Sequence, residues 1–131
     1  MRAVTVRLAL LAALVAGLAA CGAGGAAPTD SGVRGRILIG PMCPVEQVGV
    51  PCPDRPFQAH ILVRWEGSGK TAARVRSGKD GRFRLNLAPG RYVLVPISPN
   101  PGAPPQAGPV RVHVRAHAFT LVTITFDSGI R

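Results

Sequence analysis

From residue 33 to the C-terminus, apolar and polar positions alternate with a period of two, which places successive side chains on opposite faces of a strand. Residues 82–87 show it most cleanly: Phe83, Leu85 and Leu87 share one face, and Arg82, Arg84 and Asn86 the other. Residues 110–115 set Val110, Val112 and Val114 against Arg111, His113 and Arg115. Residues 57–65 place Phe57, Ala59, Ile61, Val63 and Trp65 together, and residues 71–77 turn Ala73 and Val75 inward and Arg74 and Arg76 outward. Residues 33–40 and 119–127 complete the set. Residues 91–97 are more continuously apolar, as a central strand would be. Turn residues separate these runs at 66–70, 78–81 and 88–90. No helical period follows residue 20. The pattern predicts an all-β, antiparallel Greek-key sandwich of about seven strands over residues 33–131.

Two segments break the rhythm. Residues 41–56 carry Cys43, Cys52 and five prolines, and residues 96–109 carry six prolines. Proline lacks the N–H that a central ladder needs, so both segments are expected outside the sheets. The second reads as a stiff connection at one end of the sandwich. Its Pro101-x-x-Pro104 spacing is taken as loop stiffness rather than as a ligand for a proline-binding domain.

The N-terminus differs in kind. Arg2 and Arg7 precede a thirteen-residue apolar run, residues 8–20, which suits an export signal and is too short to span a bilayer. Leu18-Ala19-Ala20-Cys21 resembles the bacterial lipobox, in which cleavage exposes a cysteine that is then acylated. The expected organisation is a cleaved signal peptide (1–20), lipidated Cys21 with a flexible tether (21–32), and the β domain (33–131). The expected location is the cell envelope, exported and anchored to the membrane through the lipid. With Cys21 taken by lipid, Cys43 and Cys52 remain, and two thiols in an exported chain are expected to pair. Their Cys-x8-Cys spacing is not a redox Cys-x-x-Cys, and no second cysteine pair offers a zinc site.

Residues 77–94 contain Asp80-Gly81-Arg82-Phe83 and then Pro89-Gly90-Arg91-Tyr92. Together with Gly32-Val33-Arg34-Gly35-Arg36-Ile37, this resembles the carboxypeptidase regulatory-like, or prealbumin-like, domain over roughly residues 32–126. The resemblance implies a prealbumin-like β-sandwich that serves as an accessory or adhesive unit rather than a catalytic one. The Cys43–Cys52 loop is not part of that family's general pattern.

The chain has 16 Lys and Arg against 6 Asp and Glu; without Arg2 and Arg7 it keeps 14 basic residues, a formal charge of +8. Only Lys70 and Lys79 are lysine. An arginine-rich composition can arise from nucleotide bias alone, and it also suits an anionic envelope surface. Arg74, Arg76, Arg82, Arg84, Arg111 and Arg115 fall on outward strand faces and are the candidate contacts to such a surface, because guanidinium matches phosphate and carboxylate in bidentate geometry. Export and scarce aromatics argue against nucleic acid.

No catalytic constellation stands out. None of the serines sits in a Gly-x-Ser-x-Gly elbow. Gly67-Ser68-Gly69-Lys70-Thr71 lacks the first P-loop glycine and is followed by strand rather than helix. His113 and His117 are four apart, which loses its meaning off a helix, and His113 lies among arginines that repel a cation. No cofactor and no metal is expected. The leading expectation is a non-catalytic, lipid-anchored module that binds or scaffolds an envelope protein or an anionic polymer. The alternative is a small-ligand carrier or enzyme with a pocket at the sandwich end lined by His60, Trp65 or Tyr92. A spacer without affinity for anything is the third reading. The oligomeric state is not legible.

Overall fold

The computed structural model describes residues 30–45 and 47–131. The expected signal peptide, the expected lipidation site Cys21 and the expected tether up to residue 29 lie outside the described residues. Eight strands follow one another: β1 (Gly32–Gly40), β2 (Arg55–Pro56), β3 (His60–Trp65), β4 (Thr71–Arg76), β5 (Arg82–Asn86), β6 (Gly90–Ile97), β7 (Val110–Val114) and β8 (Phe119–Asp127). The seven expected strands are present with ends shifted by up to three residues, and β2 is additional.

Two four-stranded sheets face each other. The first is built around β1, which pairs with β5 and β2 on one side and with β8 on the other; the second runs β4-β3-β6-β7. All pairings are antiparallel except β1 with β8, which run parallel over their whole length from Gly32↔Phe119 to Gly40↔Asp127. Parallel neighbours need a long crossover. Here the entire chain between the first and last strands supplies it.

The inward residues of both sheets make one core. Val33, Ile37, Phe83, Ile124 and Phe126 come from the first sheet, and Ile61, Val63, Tyr92, Leu94, Val112 and Val114 from the second. Phe57 meets Phe126 edge-on, ring centroids 5.0 Å apart. Phe57 stands outside β3, because residues 55–59 carry the chain from one sheet to the other. The Phe57 N–H still donates to the Ile37 carbonyl of the first sheet (2.9 Å). Proline is tolerated in β2 because that strand is a two-residue edge.

Two buried serines serve as polar pins. Ser77 Oγ accepts from the Ala59 N–H (2.9 Å) and donates to the Phe57 carbonyl (3.0 Å), fixing the crossing into β3. Ser31 Oγ donates to the Leu87 carbonyl (2.7 Å), so the fold begins just before β1. Cys43 and Cys52 form a disulfide (Cα–Cα 6.2 Å) that closes the loop between β1 and β2. At its tip Gln47 bridges Val50, and Val45, Val48 and Val50 face solvent.

Candidate anion-binding face

The six arginines singled out from the sequence do not converge. Arg74 and Arg76 lie on β4 and Arg111 lies on β7, at opposite edges of the second sheet, with Arg115 one residue past the end of β7. Arg74 stands opposite Leu62, and Arg76 opposite His60 with a bond to Gln58 Oε1 (3.2 Å). Arg111 is within ion-pair distance of Glu66 (3.8 Å). Arg82 and Arg84 lie on the other sheet, on β5.

There they meet two arginines that the sequence reading did not select. Arg34 and Arg36 on β1 are exposed and stand directly opposite Arg84 and Arg82. The signal was available: Val33-Arg34-Gly35-Arg36-Ile37 has the same alternation as Arg82-Phe83-Arg84-Leu85. What was missing was the non-local pairing that brings the two stretches side by side.

The register arranges this outer face in rows across β5, β1 and β8. The first is Asn86–Gly32–Phe119, the second Arg84–Arg34–Leu121, and the third Arg82–Arg36–Thr123. Directly opposed residues have Cβ atoms about 5 Å apart, and the next row along the strand is about 7 Å away. Four guanidinium stems therefore rise from a small rectangle. Between them runs a shallow open groove of about 660 Å³, floored by Gly35 and flanked by Leu121 and Thr123. Gly32 carries no side chain on this face, which leaves room for Arg84 to lie over the Phe119 ring, 3.9 Å from its centroid. A cation above an aromatic face is attracted by the ring quadrupole.

Electrostatically the array is one-signed. Among the described residues, none of the four arginines is within ion-pair distance of a carboxylate. Asp80 borders the groove, but its Oδ1 accepts from the Arg82 backbone N–H (3.0 Å), holding the turn before β5. Gly81, at φ 76°, completes that turn, and a Cβ there would strike the Ile37 carbonyl oxygen. The array can therefore engage several oxyanions at once.

The alternative pocket residues are dispersed. His60 opens β3 and Trp65 closes it, so the two sit at opposite ends of the sandwich. Tyr92 is 1% exposed and donates its hydroxyl to the Ala88 carbonyl (2.5 Å). Burial pushes that phenol above its ordinary pKa. Trp65 was expected inward with Ile61 and Val63. It keeps that phase, pairing with Tyr92, but it lies at the strand end, where it covers the Tyr92 ring and remains 39% exposed.

His117 contacts Asp30 rather than His113. Among the described residues, no cluster of three His, Cys, Asp or Glu side chains could hold a metal ion, and no helix is long and apolar enough to cross a membrane.

No family model matches the chain, and no curated protein matches it. Among solved structures, a streptococcal ancillary pilin is similar over 76% of this chain and 33% of its own, at 16% identity and a TM-score of 0.45. The chain thus spans about a third of that pilin's length, and a likeness this distant carries no argument about role.

Proposed function

We propose that this chain is a non-catalytic, lipid-anchored module of the cell envelope, held at Cys21 and contacting an anionic surface through Arg34, Arg36, Arg82 and Arg84. The supporting observation is the cross-strand arginine array, two rows deep and without an ion-pairing carboxylate among the described residues. Its sandwich is read as carboxypeptidase regulatory-like: the Asp80-Gly81 turn drops Phe83 into the core, and the Pro89-Gly90 corner delivers Tyr92 to its buried site. The anchor reading rests on the apolar run before Cys21 and the residues of the lipobox.

The test uses the chain from Cys21 onward, which contains every described strand. Binding to anionic vesicles or to soluble poly(glycerol phosphate) is expected to weaken as salt rises, because exposed charges are screened within about 10 Å at 0.1 M. Charge reversal by Arg82→Glu and Arg84→Glu is expected to abolish it. Binding that ignores both salt and these substitutions removes the anionic-surface reading. Mass spectrometry of the protein from its native host is expected to show an acylated N-terminal cysteine at position 21. Retention of residues 1–20 removes the anchor.

A further inference from the structure

We infer that the outer face of the β5-β1-β8 sheet lies flat on the anionic phospholipid leaflet, making the arginine array a second membrane anchor beside the lipid on Cys21. The inference rests on the anchored reading above and adds to it which surface is met and in what orientation.

Three observations lead there. The first is where the connection from the anchor joins the fold. Residues 22–30 link Cys21 to the buried Ser31 and the start of β1. A linker of nine residues with this Gly- and Ala-rich composition would have an r.m.s. span of about 15–18 Å and a reach of about 30 Å at full stretch. That connection arrives at Gly32, one row from Arg34 and Arg84 and two from Arg36 and Arg82. The array therefore sits at the end of β1 that the anchor segment enters, whereas the Cys43–Cys52 loop leaves the other end.

The second is charge complementarity. Basic side chains near an anionic leaflet each add to binding, and four of them rise together from one face of this sheet.

The third is the company the arginines keep. Leu121, 70% exposed, stands in the row of Arg34 and Arg84, and Phe119 lies under the Arg84 guanidinium. Apolar side chains among cations suit the boundary between head groups and acyl chains. A soluble polyanion would satisfy the arginines and leave Leu121 in water.

The experiment takes residues 21–131 with Cys21→Ser, so that no lipid contributes, and measures co-sedimentation with vesicles. These are phosphatidylcholine alone, or phosphatidylcholine with roughly a third phosphatidylglycerol. Binding is expected only to the anionic vesicles. Each arginine at the surface is worth about fivefold in partitioning, so Arg34→Thr with Arg36→Thr is expected to lower it about 25-fold. Arg74→Thr with Arg76→Thr removes the same charge from the opposite sheet and is expected to change it less than about twofold. Orientation is read separately. The chain has one tryptophan, Trp65, so Trp65→Phe with Leu121→Trp moves the fluorophore onto the proposed face. The emission of this double variant is expected to shift to the blue on anionic vesicles, while the parent Trp65 emission stays put.

Equal losses from the two arginine pairs would reduce the effect to net charge and overturn the proposal. So would a Leu121→Trp fluorophore whose emission on anionic vesicles remains that of an indole in water. Binding to poly(glycerol phosphate) without binding to vesicles overturns the leaflet and leaves the anionic-surface reading standing. Binding to neither overturns both.

Discussion

Replacing Arg34 and Arg36 by threonine should make the domain more stable, although it removes two of the most prominent side chains on its surface. In an antiparallel pair, side chains directly opposite one another interact at close range, and like charges there are destabilising by an amount comparable to other cross-strand effects, about 0.2–1 kcal/mol per pair. Arg34 faces Arg84 and Arg36 faces Arg82, with no intervening residue and no ion-pairing carboxylate among the described residues. The double variant on β1 dissolves both pairs at once. It leaves Arg84 on the Phe119 ring, so that favourable contact is retained. Threonine is also well suited to a pleated, half-exposed surface. The expected gain is about 0.5–2 kcal/mol, and about 5 °C in Tm per kcal/mol for a domain of this size.

Salt separates charge repulsion from other causes of that gain. The screening length falls from about 10 Å at 0.1 M salt to about 3 Å at 1 M. Parent and variant should therefore converge as salt rises, the parent doing most of the moving. Urea unfolding at low and high salt reads this directly, with equal m-values confirming that the unfolded states are comparable. The control pair, Arg74→Thr with Arg76→Thr, faces Leu62 and His60 rather than arginine and should stay within about 0.5 kcal/mol of the parent at either salt. A destabilised Arg34/Arg36 variant, or a gain indifferent to salt, would falsify the claim that the array strains the sheet.

Gly81→Ala should be markedly worse than Gly69→Ala: both glycines have positive φ, but a Cβ at Gly81 strikes the Ile37 carbonyl and one at Gly69 meets nothing, so only the conformational cost of about 1 kcal/mol applies there. Thermal unfolding of the two variants ranks them. Tyr92→Phe should cost about 1 kcal/mol through the lost hydroxyl bond to the Ala88 carbonyl, with far-UV circular dichroism unchanged. The bonds from the Arg131 guanidinium, and then from the Gly129 N–H, hold the Asp127 carboxyl down to about 2. A depressed carboxylate contributes stability above its unfolded pKa of about 4, and loses it as pH falls toward about 2. Titration of Asp127 by NMR should show this midpoint, and Arg131→Ala should return it toward the ordinary range.

What the alternation encoded was each strand's two faces, and there the sequence was a good guide. Phe83 is buried between exposed Arg82 and Arg84, and Val112 and Val114 are buried beside exposed Arg111 and His113. Alternation is silent about neighbours. Nothing in residues 119–127 says that they lie parallel to residues 32–40, because that pairing joins the two ends of the fold. The same silence hid the site: the outward phase of Arg82 and Arg84 was readable, but their partners Arg34 and Arg36 lie some fifty residues away. β2 escaped because two residues, one of them proline, carry no period. Trp65 misled because phase sets which face a side chain takes but not whether the opposite sheet extends far enough to cover it.

The two outer faces bear on the question of composition. An arginine-rich chain scatters cations over every outward position, and chance pairs most of them with something else. The β4-β3-β6-β7 face looks like that: Arg74 abuts Leu62, Arg64 abuts Thr71 and Val93, and Arg111 reaches Glu66. On the other face arginine meets arginine in two consecutive rows. Sheet stability works against such an arrangement, since a single threonine in each row would relieve it. Composition bias supplies arginines but gives no reason to place four of them where they repel. A surface that needs concentrated positive charge does, and natural proteins accept local destabilisation where function calls for it. On the proposed reading, bound anions would relieve the repulsion of the free protein, and the stability lost in the sheet would be recovered at the surface.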